Sequence, residues 1–191
     1  MQEDLSNYRK SYEKQELLEI NCPENPIQLF QTWFLNADNS DLLDESNAMT
    51  VSSIGLDGFP KNRVVLLKKY SWEGFIFYTN YHSEKGKAIA KNSHVCLSFF
   101  WPGLEQQIII KGKAEILAEN LSDDYFDSRP DGSKLGAWAS NQSTVVSSRN
   151  ELDKNLISFE KNLKEKKLQD QKIGGLFSKT YIHRVLARKT Q

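Results

Sequence analysis

Between Ala48 and Leu117 the apolar residues recur at the short period of strands rather than the longer period of helices. Ala48 to Ile54 alternates apolar and polar positions, Arg63 to Tyr70 is a β-branched and leucine-rich run with cations at both ends, and Phe75 to Thr79 is rich in aromatics. Gly55-Leu56-Asp57-Gly58 turns the first run into the second, and Trp72-Glu73-Gly74 turns the second into the third. Together they predict a meander of three strands. His94 to Trp101 and Gln107 to Leu117 are the next strong strands, joined at Pro102-Gly103. Five or six antiparallel strands with few helices favour a small closed barrel, because closure leaves no strand edge exposed.

The helical signals lie around this sheet. Asn25-Pro26 opens an amphipathic helix through Ile27, Leu29, Phe30, Trp33 and Phe34, with proline in the first turn and apolar residues at helical spacing. Ser83 is placed to cap a helix through Lys85, Lys87, Ala88 and Ile89 that ends at Asn92-Ser93. Ser122 to Ser128 reads as a short helix, Arg129-Pro130-Asp131-Gly132 as a turn, and Gly136 to Ser148 as a loop. From Arg149 to about Lys167, the positions Leu152, Leu156, Phe159 and Leu163 mark a helix with one apolar face and a charged back. Met1 to Glu19 is polar and mixed in charge, without a core of its own. No internal repeat or dividing linker is visible, so residues 1–20 read as an arm and 21–191 as a single domain.

Composition narrows the class. With 39% hydrophobic and 26% charged residues, the 191-residue chain has the make-up of a globular protein large enough for a real core. Its 25 cations balance 25 anions, so no global field draws it to nucleic acid or an anionic membrane, and any bound anion must be held by local placement. Cys22 and Cys96 are too few and too far apart for a disulfide framework or a metal knuckle, and no metal is expected. The first residues lack an apolar signal core and no run is long enough to span a bilayer, so the expected compartment is the cytoplasm.

The stretch from Lys61 to Lys87 concentrates the candidate chemistry. A strand feeding a helix whose first turn holds a hydroxyl and a lysine is a physically sensible phosphate seat, since unpaired N–H groups and the helix dipole face the anion there. Arg63 and Lys68 add two more cations. Strict alternation places Arg63, Val65 and Leu67 on one face and Val64, Leu66 and Lys68 on the other. Both cations therefore reach one ligand only if the strand twists, bulges or lies at a subunit junction.

The run RVVLLK at Arg63 to Lys68, followed by FYTNYHSEKGK at Phe77 to Lys87, resembles the flavin-binding signature of the pyridoxamine 5'-phosphate oxidases. The likeness continues in order through Leu104-Glu105-Gln106-Gln107, Tyr125-Phe126-Asp127-Ser128-Arg129-Pro130 and Gly136-Ala137-Trp138-Ala139-Ser140-Asn141-Gln142-Ser143. It covers roughly Tyr8 to Gly175. The resemblance implies an FMN-binding split β-barrel, mainly β with peripheral helices, Greek-key-like, and working as a homodimer. It puts FMN on Arg63, Val64, Val65, Leu66, Leu67, Lys68, Tyr78, Thr79, Lys85, Gln107, Gln142 and Ser143. Those residue types suit the cofactor. Arg63 offers a bidentate fork and Lys85 a point charge for phosphate, Thr79 and Ser143 carry hydroxyls, and Gln107 and Gln142 can bond ring atoms.

The resemblance also implies a second phosphate ester, pyridoxamine or pyridoxine 5'-phosphate, with its phosphate on Lys68, Tyr125, Arg129 and Ser133. Arg9, Lys10, Ser11 and Tyr12 would fold over that substrate. The implied reaction is hydride transfer from substrate C4' to flavin N5. O2 then reoxidises the flavin, giving pyridoxal 5'-phosphate and hydrogen peroxide in vitamin B6 salvage.

Two departures stand out. The family usually has Arg where Glu84 stands; an inward Glu84 lowers cofactor affinity, and an outward one changes little. Gly174-Gly175 resembles the paired glycines before the family's last strands, but Ile173 replaces a tryptophan and Leu176 to Gln191 does not continue the pattern. The expected Trp-Gln-Gly and Arg-Leu-His-Asp-Arg motifs are missing, so no residue inherits the catalytic roles. This reads as a shortened or frame-altered terminus. The alternative function is a catalytically impaired protein that binds FMN or pyridoxal phosphate.

Overall fold

The computed structural model describes residues 3–14, 16–117, 130–139, 145–146, 148–163 and 173–179. The alternating runs become six antiparallel strands: β1 (Ala48–Ile54), β2 (Pro60–Ser71), β3 (Gly74–Asn80), β4 (His94–Trp101), β5 (Gln106–Ile116) and β6 (Ile173–Lys179). They close into a barrel in the order β1-β2-β3-β6-β5-β4. The first three are the expected meander, and β4 returns beside β1, which makes a Greek key. β6 pairs with both β3 and β5 and so completes the closure.

Local chemistry sets the turns. The β1–β2 hairpin closes at Ile54 and Pro60, with the Gly55 N–H donating to the Phe59 carbonyl at 2.8 Å. Gly58 sits at φ +84°, a left-handed conformation that residues with a Cβ adopt at a cost. Pairing of Ile54 with Pro60 is also why β2 begins earlier than its apolar run. Between Leu67 and Lys69 the β2–β3 register shifts at a bulge.

Helix α1 (Pro26–Asp38) starts as expected, the Asn25 side chain accepting from the Ile27 N–H at 2.9 Å. In α2 (Glu84–Lys91), Ser83 Oγ accepts from the Gly86 N–H at 3.1 Å. Gly86 is required by packing, because a Cβ there would stand 2.5 Å from the Tyr81 carbonyl oxygen. The expected turn at Arg129 to Gly132 and loop from Gly136 give way to helix α3 (Asp131–Ala139). Pro130 opens this helix: its carbonyl accepts from the N–H groups of Ser133 and Lys134 at 2.9 and 3.1 Å. Helix α4 (Arg149–Leu163) follows, tied to α3 by Asn155 Nδ2 donating to the Ala139 carbonyl at 3.3 Å. The helix expected at Ser122 to Ser128 lies outside the described residues.

The barrel interior is filled by Met49, Val51, Val65, Leu67, Phe75, Phe77, Leu97, Phe99, Ile108 and Ile110. At the Tyr70 end of β2, α1 closes one mouth with Phe30. Its ring lies 4.8 Å from that of Phe75, 5.1 Å from Tyr70 and 5.3 Å from Phe99. These offset and edge contacts add to ordinary burial. At the opposite mouth α2 turns Ala88 and Ile89 inward.

Candidate functional site

The α2 mouth is where the chain's polar residues meet. Lys61 and Arg63 share a strand face with Val65 and Leu67, but lie beyond the core, so the parity that points Val65 inward carries their longer side chains to the rim. Register sets Lys61 opposite Ser53 and Arg63 opposite Val51. Helix α2 begins beside them. As a result Ser53, Lys61, Arg63, Glu84, Lys85 and Ala88 line one small cavity.

Glu84 points inward. It pairs with Lys61 and accepts from Arg63 Nη2 at 3.1 Å, while Lys61 also reaches Asp57 at 2.9 Å. The hydrogen bond from Lys61 holds the Glu84 carboxyl below its usual range, with the charges of Lys61 and Arg63 acting the same way. Glu84 and Asp57 correspondingly raise the Lys61 amine. Lys85 moves in the other direction: burial lowers its pKa, and the nearby Arg63 charge lowers it further. A half-buried, charged amine beside a guanidinium is what an incoming dianion would relieve.

Thr79 is the last inward-facing position of β3 before the turn into α2. It is buried, and its Oγ1 has no hydrogen-bond partner among the described residues. Across the ladder stands Gly174, which brings no side chain to cover it, and Gly175 stands opposite Tyr78. Buried hydroxyls are ordinarily paired, so this one is open to a further partner.

The other residues singled out from the sequence are spread more widely. Val65 and Leu67 are buried in the core, which leaves only their backbone groups for a ligand, whereas Val64 is exposed and Leu66 half-buried on the outer face. Lys68 stands past the core at the far end of β2, about 16 Å along the strand from Arg63 by the rise per residue. These two cations therefore stand too far apart to meet on one phosphate within a single copy of the chain. Gln107 is exposed on β5 opposite Phe100, and Ser133 is exposed in α3. Tyr125, Arg129, Gln142 and Ser143 lie outside the described residues.

The arm residues Arg9, Lys10, Ser11 and Tyr12 are exposed, but the chain just after them is anchored. Glu105, at φ 57°, accepts from the backbone N–H groups of Glu13 and Lys14 at 2.7 and 2.9 Å and pairs with Lys10 at 3.4 Å. Lys14 Nζ adds a bond to the Gly103 carbonyl at 2.6 Å. These N–H donors, led by that of Lys14, hold the Glu105 carboxyl below its usual range. Of these residues only Lys10 is a site residue in the sequence reading; Glu105 and Lys61 are not. Lys61 was accessible to it, since it shares Arg63's strand parity.

Among the described residues no group of His, Cys, Asp and Glu is arranged to hold a metal, and no helix is long and apolar enough to cross a membrane. Residues 35–160 match the family model described as pyridoxamine 5'-phosphate oxidase. A pyridoxine/pyridoxamine 5'-phosphate oxidase of Flavobacterium psychrophilum is 67% identical over 159 residues, covering 83% of this chain and 74% of that protein. Its counterpart in Christiangramia forsetii is 50% identical over 177 residues, covering 93% of this chain and 83% of the relative. Among solved structures, PhzG from Burkholderia lata superimposes with a TM-score of 0.79 at 23% identity, over 87% of this chain and 82% of that one. A pyridoxamine 5'-phosphate oxidase-related, FMN binding protein from Nostoc punctiforme gives 0.62 at 12% identity, over 83% of each chain. The two structures share the barrel fold. The family model and the sequence relatives go further, and by them the chain belongs to the pyridoxamine 5'-phosphate oxidase family.

Proposed function

We propose that this chain is an FMN-dependent oxidase that converts pyridoxamine or pyridoxine 5'-phosphate to pyridoxal 5'-phosphate, with O2 as electron acceptor and hydrogen peroxide as product, in vitamin B6 salvage. The observation that carries this reading is the convergence of Arg63 and Lys85 on one cavity at the start of α2. The unpaired Thr79 hydroxyl supports the fit of the group to this mouth. A phosphate monoester needs two cations and oriented donors, and this mouth supplies them.

When bound, FMN supplies the redox chemistry; the protein supplies orientation and charge. Arg63 forks onto phosphate oxygens, Lys85 regains a counter-charge there, and Thr79 donates its hydroxyl. The backbone from Val64 to Leu67, with Tyr78, Gln107, Gln142 and Ser143, positions the ring. Lys68, Tyr125, Arg129 and Ser133 hold the substrate phosphate, and Arg9 to Tyr12 cover it and exclude water.

The assembly is a homodimer in this reading. Val64, Thr50, Ser98 and Ile109 stand in one row across β2, β1, β4 and β5, flanked by Leu66, Ala48 and Phe100. Val64 is 73% and Phe100 58% exposed, so this uncharged outer wall offers apolar surface that a second copy would cover.

A second reading, a binder of FMN or pyridoxal phosphate without turnover, is favoured by the departure of Leu176 to Gln191 from the family pattern. Purified protein is expected to show flavin absorbance and to release peroxide with pyridoxine 5'-phosphate. Absorbance without peroxide favours the binder. Protein that stays colourless after FMN is added contradicts both readings.

A further inference from the structure

Glu84 poses an electrostatic problem that the phosphate seat must solve. A carboxylate beside Arg63 and Lys85 competes with any phosphate for the same cations, and like charges brought within a few ångströms repel strongly in a partly buried site. The three cations Lys61, Arg63 and Lys85 face the two carboxylates Glu84 and Asp57, which leaves the cluster with one net positive charge. Without Lys61 the cluster would have none. Arg63 gives Glu84 one guanidinium nitrogen at 3.1 Å and its other terminal nitrogen bonds the Asn62 carbonyl at 2.7 Å, so its hold on Glu84 is single and easily exchanged. Lys61 holds the other carboxylate oxygen of Glu84, Oε1, and is itself braced by Asp57 at 2.9 Å.

We propose that Lys61 is a positioning residue of the flavin phosphate seat: it retains and neutralises Glu84, so that Arg63 can leave the carboxylate for the phosphate of FMN. The inference rests on the FMN reading above and adds to it the residue that makes an acidic helix start compatible with a phosphate ligand. Lys61 acts through Glu84 and needs no contact with the ligand. On this account the pair is a unit, and either member changed alone is felt at the phosphate and nowhere along the ring.

The test is a double-mutant cycle on the full chain freed of flavin, read as binding of FMN and, in parallel, of riboflavin, which lacks the phosphate. Lys61→Met is expected to weaken FMN about tenfold and riboflavin less than about twofold, whereas in a Glu84→Gln background the same change should cost FMN less than about twofold. Lys61→Arg, which keeps the charge, should stay within about threefold of the parent. Three outcomes overturn the proposal while leaving the FMN reading intact: an equal cost of Lys61→Met with and without Glu84, no cost in either background, or equal loss of both flavins. A parent chain that binds FMN no better than riboflavin overturns both.

Discussion

The two mouths of the barrel are built from opposite chemistries. At the α1 mouth, Phe30 packs on Tyr70, Phe75 and Phe99, Phe34 packs on Trp101, and the indole N–H donates to the Ser46 carbonyl at 3.0 Å. The rings and the indole there are met inside the chain, although the buried Gln106 Oε1 on the strand beside Trp101 has no hydrogen-bond partner among the described residues. At the α2 mouth Thr79 Oγ1 has no partner among the described residues, Lys85 is held against its charge, and three cations share two carboxylates. The first mouth contributes stability, and the second retains unmet electrostatic demand that a ligand can satisfy. The two mouths use different residues of the shared strands, so the two tasks are separable by mutation.

That separation predicts a graded series. Phe30→Ala should have the largest effect on the fold, lowering stability by about 3–5 kcal/mol in urea unfolding. Flavin affinity measured well below the transition should hardly move. A loss under about 1 kcal/mol would show that α1 does not seal the core. Lys85→Met should do the reverse: FMN affinity falls at least about tenfold, while the flavin-free protein melts at a higher temperature because a desolvated charge beside Arg63 is gone. A lower melting temperature would contradict the account.

The pH dependence follows from the same lysine. Its pKa in the free protein lies below the ordinary 10.5, and phosphate favours the charged form. FMN affinity is therefore full below that depressed pKa and declines as pH rises through it, beginning earlier than an exposed lysine would allow. Lys85→Met should remove that part of the profile. The smallest effect is expected at the arm. Glu105 is held below 4.5, so protection of the Glu13 and Lys14 amides should persist through that pH and be lost as pH falls through the folded value. Glu105→Gln should weaken the protection at neutral pH, and unchanged exchange would show that the arm is held by something else.

Much of this architecture was legible in the chain. Alternation and turn residues predict β1, β4 and the β1–β2–β3 meander, and Asn25-Pro26 and Ser83 mark the starts of α1 and α2. Pro130 misled, because a proline that ends one element also suits the first turn of the next, and α3 lies where a turn and loop were expected. β6 was not legible from periodicity: Gly174-Gly175 has weak strand propensity, and its pairing between β3 and β5 is non-local. The Lys61–Glu84 pair was hidden for a related reason. Its partners are 23 positions apart, and only the hairpin register and the return of α2 bring them together.

The departure after Gly175 has its own test in the genetic code. One encoding that the genetic code permits for Ile182 to Gln191, ATA CAT AGA GTT TTG GCA AGG AAA ACC CAA, reads one base later as Tyr-Ile-Glu-Phe-Trp-Gln-Gly-Lys-Pro, which contains the Trp-Gln-Gly run the resemblance leads one to expect. Nucleotide sequencing of this stretch is expected to find that codon choice. Codons that place a stop or an unrelated run in that frame would contradict a frame-altered tail.

The central claim, that the α2 mouth is a phosphate seat, is tested most directly by titrating the flavin-free protein with FMN and with riboflavin, in the parent chain and in Arg63→Ala. The account predicts a clear preference for FMN in the parent that collapses in the variant, with riboflavin binding nearly unchanged. Equal affinity for the two flavins in the parent, or an FMN preference that survives loss of the guanidinium, would contradict it.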